Sequence, residues 1–349
     1  MDERFHRLRV AGVERLCADA VAVTFEVPDE LRPAFAFKPG QYLTLKFVDG
    51  TEERRSYSIC APAGGAPRVG VRRVDTGLFS EWLVDRLAPG DEVEVAPPAG
   101  SFTPELAPGT HHGLIAAGSG ITPVLSIAAS VLAYPDTRIT LLYGNRRTDT
   151  VMFTEELADL KNAHGPRVQL VHVLSREPTE VELFTGRLDA TRLALLLGAL
   201  VDVDDVDHWW LCGPLGMTTD ALQVLAGQGV ERSRIHRELF YVGEPPPEPV
   251  RVEEEVVDGS EVIVILNGRV TTLTLPRAVS VLDGAQKVRG DLPFACKGGV
   301  CGTCRAKVTN GQVTMRRNFA LEDDEVAAGF VLTCQARPVT DEVTVDFDL

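Results

Sequence analysis

Four cysteines near the C-terminus have the type and spacing to do chemistry: Cys296, Cys301, Cys304 and Cys334. Three lie in ACKGGVCGTCR (295–305) and the fourth in VLTCQ (331–335), giving C-x4-C-x2-C, a long gap, then C. Two irons sharing two sulfides need four thiolates, and this spacing is the plant-type [2Fe–2S] ligand pattern. The loop has to bend around a cluster and aim backbone N–H groups at its sulfurs. Gly298, Gly299 and Gly302 permit that, because glycine reaches backbone angles that other residues avoid. A zinc site would want C-x2-C pairs at both ends, and only one such pair is present. A disulfide framework suits a small secreted chain, and this one has 349 residues. The pattern predicts a one-electron carrier. Cys17 and Cys60 read as small apolar residues.

Five shorter elements precede the cysteines. In RSYS (55–58), strand alternation puts Arg55 and Tyr57 on one face, where a ring can cover a flavin and a guanidinium can bind phosphate. An exposed strand carrying Tyr and Arg reads equally well alone. Gly77-Leu-Phe-Ser80 opens an apparent helix and offers a phosphate site at its N-terminus, or simply a capped surface helix. Gly118-Ser-Gly-Ile-Thr-Pro123 follows a strand and leads into a helix. Gly118 and Gly120 let a pyrophosphate approach, and Pro123 suits a first turn. It is not the full G-x-G-x-x-G, and a tight strand-to-helix turn is the alternative. Ser175-Arg176-Glu177 ends a strand, where Ser175 and Arg176 could hold a 2′-phosphate or form an ordinary loop. In Cys212-Gly213-Pro214, Gly213 permits close approach of a flat ring. Cys212 reads as core or ring contact and not as a nucleophile, since no histidine in sequence supports one.

The elements that must position these residues change character along the chain. Short β-rich runs at 21–27, 42–47, 69–74 and 92–96, separated by Pro/Gly turns, suit a small antiparallel barrel. From about residue 110 strands alternate with helices: strands at 113–117, 139–143, 168–174 and 209–212, helices at 124–132, 154–162 and 190–197. That rhythm predicts a parallel sheet covered on both faces. GEPPPEPVRVEEE (243–255) reads as a stiff, charged linker. Beyond it come a hairpin over 261–275, a helix over 280–289, the cysteine loop, and strands at 305–309 and 343–347. A sheet on one helix is the α+β, β-grasp ferredoxin arrangement. The expected fold is thus multidomain: an antiparallel β-barrel flavin domain (1–107), an α/β parallel-sheet nucleotide domain (108–242), a linker (243–260) and a ferredoxin domain (261–349).

A formal charge of −15 argues against nucleic acid and anionic membrane surfaces as partners. No apolar stretch approaches a membrane span, and the first residues, MDERFHR, lack the apolar core of a signal peptide. Free thiols beside an iron–sulfur site fit a reducing cytoplasm.

The order of these elements resembles the ferredoxin–NADP reductase superfamily with a plant-type ferredoxin fused at the C-terminus. The resemblance covers essentially the whole chain. It implies that Arg55, Tyr57, Ser58 and Ile59 contact FAD, that Val71, Arg72 and Val74 line its site, and that Gly77, Leu78 and Ser80 bind its pyrophosphate. Gly118, Ser119, Gly120, Thr122, Pro123, Cys212, Gly213 and Pro214 would lie along the nicotinamide nucleotide. Glu238-Leu-Phe240 resembles the Glu-x-Tyr terminus of plant reductases, with Phe for Tyr and the chain running on. The stretch NFALEDDEVAAGFVLTCQ (318–335), with Ser175-Arg-Glu177, is similar to the reductase subunits of phenylacetyl-CoA epoxidases. Reductases of 3-ketosteroid 9α-hydroxylases share the architecture, use NADH and generally lack the Ser-Arg pair. The resemblance implies an electron path from NADPH through FAD and [2Fe–2S] to the diiron oxygenase of a phenylacetyl-CoA epoxidase complex. In such a chain the chemistry is borne by cofactors, with no catalytic acid–base pair. Lys297, Arg305, Arg316 and Arg317 predict a locally basic docking patch on the ferredoxin domain.

Overall fold

The structure is a computed structural model that describes residues 5–48, 54–74, 78–241, 259–266, 268–289 and 292–349. It divides into two compact units after Tyr241. The expected linker lies, through residue 258, outside the described residues.

The first unit opens with strands β1 (His6–Cys17), β2 (Ala20–Glu26), β3 (Tyr42–Lys46), β4 (Arg54–Ser58) and β5 (Arg68–Arg72), helix α1 (Leu78–Asp85) and strand β6 (Glu92–Val95). They form one antiparallel sheet in the order β4-β3-β6-β1-β2-β5. Its two edges meet where Ile59 bridges Val69 and the Cys60 N–H donates to the Arg68 carbonyl at 2.8 Å, which closes the barrel. Alternation explains the core. In the Glu-Val-Glu-Val run of β6, Val93 and Val95 are fully buried while Glu92 is exposed. Leu8, Val21, Val23, Leu43, Leu45 and Val71 join them, with Phe79 and Leu83 of α1 packed into the same core. Each such side chain stabilises the fold by about 1.5–3 kcal/mol relative to exposure.

The same unit continues with β7 (His111–Ala117), α2 (Ile121–Val131), β8 (Arg138–Asn145), α3 (Thr154–His164), β9 (Val168–Leu174), α4 (Ala190–Leu200), β10 (His208–Pro214), α5 (Leu215–Gly227) and β11 (Ile235–Tyr241). The five strands are parallel, in the order β11-β10-β7-β8-β9. The chain builds outward from β7 on one side, then returns to build on the other. The switch between β7 and β10 leaves a crevice beyond their carboxyl ends, where doubly wound sheets bind ligands. Helix α2 begins earlier than the sequence pattern indicated, with Pro123 in its first turn, where the missing N–H costs nothing. Ten of its eleven residues are buried, because it is pressed between this sheet and the barrel. The Ser126 hydroxyl donates to the Ala61 carbonyl at 2.6 Å, and the Ala63 N–H donates to the Ser130 hydroxyl at 2.9 Å.

The second unit contains β12 (Gly259–Leu266), β13 (Arg269–Pro276), α6 (Val281–Ala285), β14 (Arg305–Asn310), β15 (Val313–Met315), α7 (Asp323–Ala327), β16 (Phe330–Leu332), β17 (Ala336–Pro338) and β18 (Glu342–Asp346). Five of its strands form a mixed sheet, β13-β12-β18-β14-β16, with β12 and β18 parallel. Helix α6 buries Val281, Leu282 and Ala285 against it. The helix expected over 280–289 is five residues long. Ser280 caps it by accepting from the Asp283 N–H at 3.2 Å. Gly284 then weakens it, and a Cβ there would come within 2.0 Å of Leu275, so close packing on β13 selects the glycine. No helix among the described residues is long and apolar enough to cross a membrane.

Candidate functional site

In the first unit, the sequence-identified residues gather where the barrel meets the carboxyl ends of the parallel strands. Arg55 and Tyr57 share one face of β4, as alternation requires, and Arg55 is exposed. The Tyr57 ring stacks near Phe79, with centroids 6.2 Å apart. Ser58 points the other way and is buried. Ile59 and Val71 turn their side chains fully into the barrel core, which leaves only their backbone to a ligand. Alternation along β5 explains Val71, because Val69 and Val71 pack inward while Arg68 and Arg72 face away. Arg72 pairs with Asp19 at 3.3 Å and donates to the Thr150 carbonyl, tying β5 to the nucleotide half. Ser80 is buried and accepts from the Val74 N–H at 3.1 Å, while Val74 itself is exposed. Gly77 lies outside the described residues; Leu78 begins α1.

Gly118, Ser119 and Gly120 form one tight turn between β7 and α2, with Gly118 and Ser119 part-exposed. A Cβ on Gly120 would lie 2.1 Å from the Cys212 carbonyl oxygen, so only glycine lets this turn sit against β10. Thr122 and Pro123 are fully enclosed, and the Thr122 hydroxyl donates to the Ser119 carbonyl at 2.9 Å. Cys212 is fully buried. Burial pushes its thiol well above the ordinary range, with Glu238 adding to the rise, so it is no nucleophile.

Glu238 is the residue that sequence reasoning underused. In the parallel ladder it lies opposite Cys212. Its carboxyl accepts a hydrogen bond from the Ser58 hydroxyl at 3.4 Å, joining β11 to β4 across 180 positions of sequence. Part of the side chain reaches the surface, yet the carboxyl is surrounded by protein. That burial pushes it up to about 8, against a smaller opposing effect of the Ser58 hydrogen bond. A proton is therefore held at the crevice at neutral pH.

Ser175 and Arg176 extend the β8–β9 ladder. The Ser175 N–H donates to the Asn145 carbonyl at 2.9 Å and the Arg176 N–H to the Arg146 carbonyl at 2.8 Å. This pairing sets Arg146 beside Arg176. Both are exposed, and neither has an ion-pair or hydrogen-bond partner for its guanidinium among the described residues. Neighbouring Arg147 pairs with Asp149 at 3.4 Å, and Glu177 accepts from the Thr148 N–H and hydroxyl at 2.8 and 2.9 Å. The Asn145 side chain is buried beside Tyr143, and among the described residues neither of its amide atoms has a hydrogen bond of good geometry. A buried amide so poorly partnered is costly in water-excluded surroundings and fits a site completed by a polar ligand. Asn145 and Arg146 carry no motif of their own; their adjacency to Arg176 is a product of the ladder.

In the second unit, the cysteine loop runs between α6 and β14. The sulfurs pair two and two, Cys296 with Cys301 and Cys304 with Cys334. The Cys296 sulfur accepts first from the Cys301 thiol, then from backbone N–H groups, including those of Gly298 at 3.3 Å and Cys301 at 3.4 Å. These donors hold it well below the ordinary thiol range. Cys334 is lowered for the same first reason, by the Cys304 thiol. Backbone donors aimed at a sulfur suit a bound thiolate, and two pairs suit two irons, so these residues fit a binuclear cluster. Among the described residues no three His, Cys, Asp or Glu side chains converge as a site for one metal ion. Gly299 (φ +80°) and Gly302 (φ +69°) take left-handed backbone, whereas Gly298 does not and Lys297 (φ +50°) does. The expected basic patch is partly neutralised. Lys297 bonds Asp283 at 2.9 Å, and Arg305 bonds Glu325 at 3.0 Å while lying 3.5 Å over the Phe330 ring.

Three family models match the chain: an oxidoreductase FAD-binding domain over residues 7–103, an oxidoreductase NAD-binding domain over 114–223, and a 2Fe-2S iron-sulfur cluster binding domain over 264–339. The chain is 42% identical to a subunit of the 1,2-phenylacetyl-CoA epoxidase of Escherichia coli (strain K12), over 99% of this chain and 98% of that one. It is 37% identical to the ferredoxin reductase component of 3-ketosteroid-9-alpha-monooxygenase from Rhodococcus rhodochrous, over 97% and 96%. Among solved structures, phthalate dioxygenase reductase matches 99% of this chain and 98% of its own with a TM-score of 0.62 and 23% identity, a likeness of fold.

Proposed function

The chain belongs to the ferredoxin–NADP reductase superfamily, among the oxygenase reductase components that carry FAD-binding, NAD-binding and 2Fe-2S domains, and from that premise we propose that it takes hydride from NADPH and delivers electrons to the diiron oxygenase of a phenylacetyl-CoA epoxidase. The observation that carries this reading is the 42% identity to a phenylacetyl-CoA epoxidase subunit along nearly the full length of both chains. When bound, FAD and a [2Fe–2S] centre turn a two-electron hydride into single-electron deliveries. The residues do the rest. Arg55, Tyr57 and Ser58 hold the flavin with the backbone of Ile59 and Val71, and the turn at Gly118–Gly120 with Gly213 admits the nicotinamide nucleotide. Cys296, Cys301, Cys304 and Cys334 ligate the cluster. Ser175, Arg176 and Arg146 supply the 2′-phosphate site. Four cysteines committed to a cluster and three others outside any disulfide support a cytoplasmic setting.

Reconstitution tests the partner. NADPH, this protein and the oxygenase subunits of a phenylacetyl-CoA epoxidase should yield the epoxide. The 37% identity to a steroid hydroxylase reductase favours a second reading, NADH-dependent service to a Rieske-type oxygenase. Turnover only with that oxygenase would replace the first reading by the second. Mass spectrometry of the released flavin should find FAD; recovery of FMN alone would refute the pyrophosphate role given to the loop before α1.

Glu238 supplies a pH signature. Its carboxyl, raised to about 8, is neutral at pH 7 and charges as pH rises through that value. Flavin reduction by NADPH, followed by stopped flow, should therefore slow on an alkaline limb near pH 8. E238Q keeps a neutral side chain and should remove the limb. Stability follows the same sign: between the unfolded carboxyl's value near 4.5 and about 8 the folded state binds more protons, so stability falls as pH rises through that window. A limb that persists in E238Q belongs to another group.

A further inference from the structure

The residue after the fourth cysteine is a glutamine, and it is 1% exposed. Burying an amide costs free energy unless its polar atoms find partners. The Gln335 Nε2 finds two. It donates to the Lys297 carbonyl at 2.7 Å and lies 3.5 Å from the Cys334 sulfur. Its Oε1 has no hydrogen-bond partner among the described residues. The amide cannot profitably turn over, since that would set Oε1 against both a carbonyl and a thiolate. Gly299 leaves room for the side chain here: a Cβ at that position would lie 3.1 Å from the Gln335 Cγ, a tight contact. The backbone of Gln335 is fixed as well, its N–H donating to the Leu332 carbonyl at 2.8 Å and its carbonyl accepting from the Arg316 N–H at 3.1 Å.

Lys297, the other end of the tether, is held just as firmly. It is a non-glycine residue at positive φ, a conformation that persists only where its surroundings impose it. Its ammonium bonds Asp283 at 2.9 Å and Gln286 at 2.7 Å, beside α6, and lies 4.8 Å over the Phe294 ring. One residue of the three-cysteine loop is thus moored by its side chain to the helix and by its carbonyl to Gln335. That amide is one of the links between this loop and the fourth ligand, beside the Thr333 N–H and hydroxyl that donate to the Cys304 carbonyl at 3.1 and 2.9 Å.

We propose that Gln335 is a positioning residue that sets the reduction potential of the cluster, holding one amide N–H on the Cys334 sulfur while the other fixes the Lys297 carbonyl. The physical ground is charge. A one-electron reduction makes the cluster and its thiolates more negative, so an N–H dipole aimed at a ligand sulfur stabilises the reduced form more than the oxidised one. Removing the donor should make the cluster harder to reduce. The inference rests on the iron–sulfur reading of the four cysteines, so iron and sulfide content is measured separately.

The test is an EPR-monitored redox titration of the full-length holoprotein. Q335L fills a similar volume without a donor. It should retain iron and sulfide while the equilibrium between reduced and oxidised cluster shifts about fivefold toward oxidised, on the order of 40 mV for one electron. Q335E sets a carboxylate in the same place and should shift it further. An unchanged midpoint in cluster-loaded Q335L overturns the proposal. Loss of the cluster from both Q335L and Q335M overturns it too, because the residue would then be a structural brace only. Wild-type protein without iron and sulfide removes the premise and the proposal with it.

Discussion

Replacing Cys301 with serine should remove the [2Fe–2S] absorbance and the EPR signal of the reduced cluster. Cys301 lies centrally in the loop, and its sulfur is paired with that of Cys296. A serine oxygen is a hard, poorly ionised donor where the irons want a soft thiolate. Deleting a group that merely supports a ligand typically costs 10–100-fold in affinity or activity, so deleting the ligand should cost more than about 100-fold in reactions that pass through the cluster. Reduction of cytochrome c or of the oxygenase should therefore collapse. NADPH oxidation with ferricyanide, which accepts electrons from the flavin directly, should continue. The structure gives the reason: the second unit's core is built from residues 262–345, while the barrel and parallel-sheet cores draw only on residues before 241. A cluster spectrum that persists unchanged in C301S would show that Cys301 is no ligand.

The fold was legible where one face of an element is apolar and the period is clean. The Glu-Val-Glu-Val run of β6 and the strand–helix alternation from β7 onward declared themselves, because burial on one side leaves a pattern in sequence. Helix α6 was overread. Its apolar run continues past Gly284, but contact with Leu275 and a weak helix former end the helix early. The cysteine loop stood out in the sequence because the ligand chemistry proposed for it fixes residue type and spacing together. Its backbone was not: Lys297, rather than Gly298, takes the left-handed turn, because side-chain moorings to Asp283 and Gln286 hold it there. Contacts between distant strands left the least trace. Glu238 meets Ser58, and Asn145 and Arg146 join Ser175 and Arg176, only after the sheets form. No local pattern encodes such meetings, so the proton-holding carboxyl and the second arginine emerged from geometry.

That second arginine shapes the test of nucleotide choice. NADPH should be preferred to NADH in kcat/KM. A charge-assisted hydrogen bond contributes about 1.5–3 kcal/mol, so R176A should lower kcat/KM for NADPH roughly tenfold or more. R146A should act in the same direction, because the Arg176 N–H bonds the Arg146 carbonyl at 2.8 Å and the two residues leave adjacent strand ends together. NADH lacks the 2′-phosphate, so its use should barely change in either variant. The double variant decides whether one phosphate is shared. Independent sites add within about 0.3–0.5 kcal/mol, so a larger coupling between R146A and R176A identifies a common ligand. Salt should blunt the preference in wild type, since both arginines are exposed and screened. Equal losses for NADPH and NADH would show that these arginines do not read the 2′-phosphate. A wild-type preference for NADH would instead move the chain to the steroid-hydroxylase reading, with the family and its cofactors unchanged.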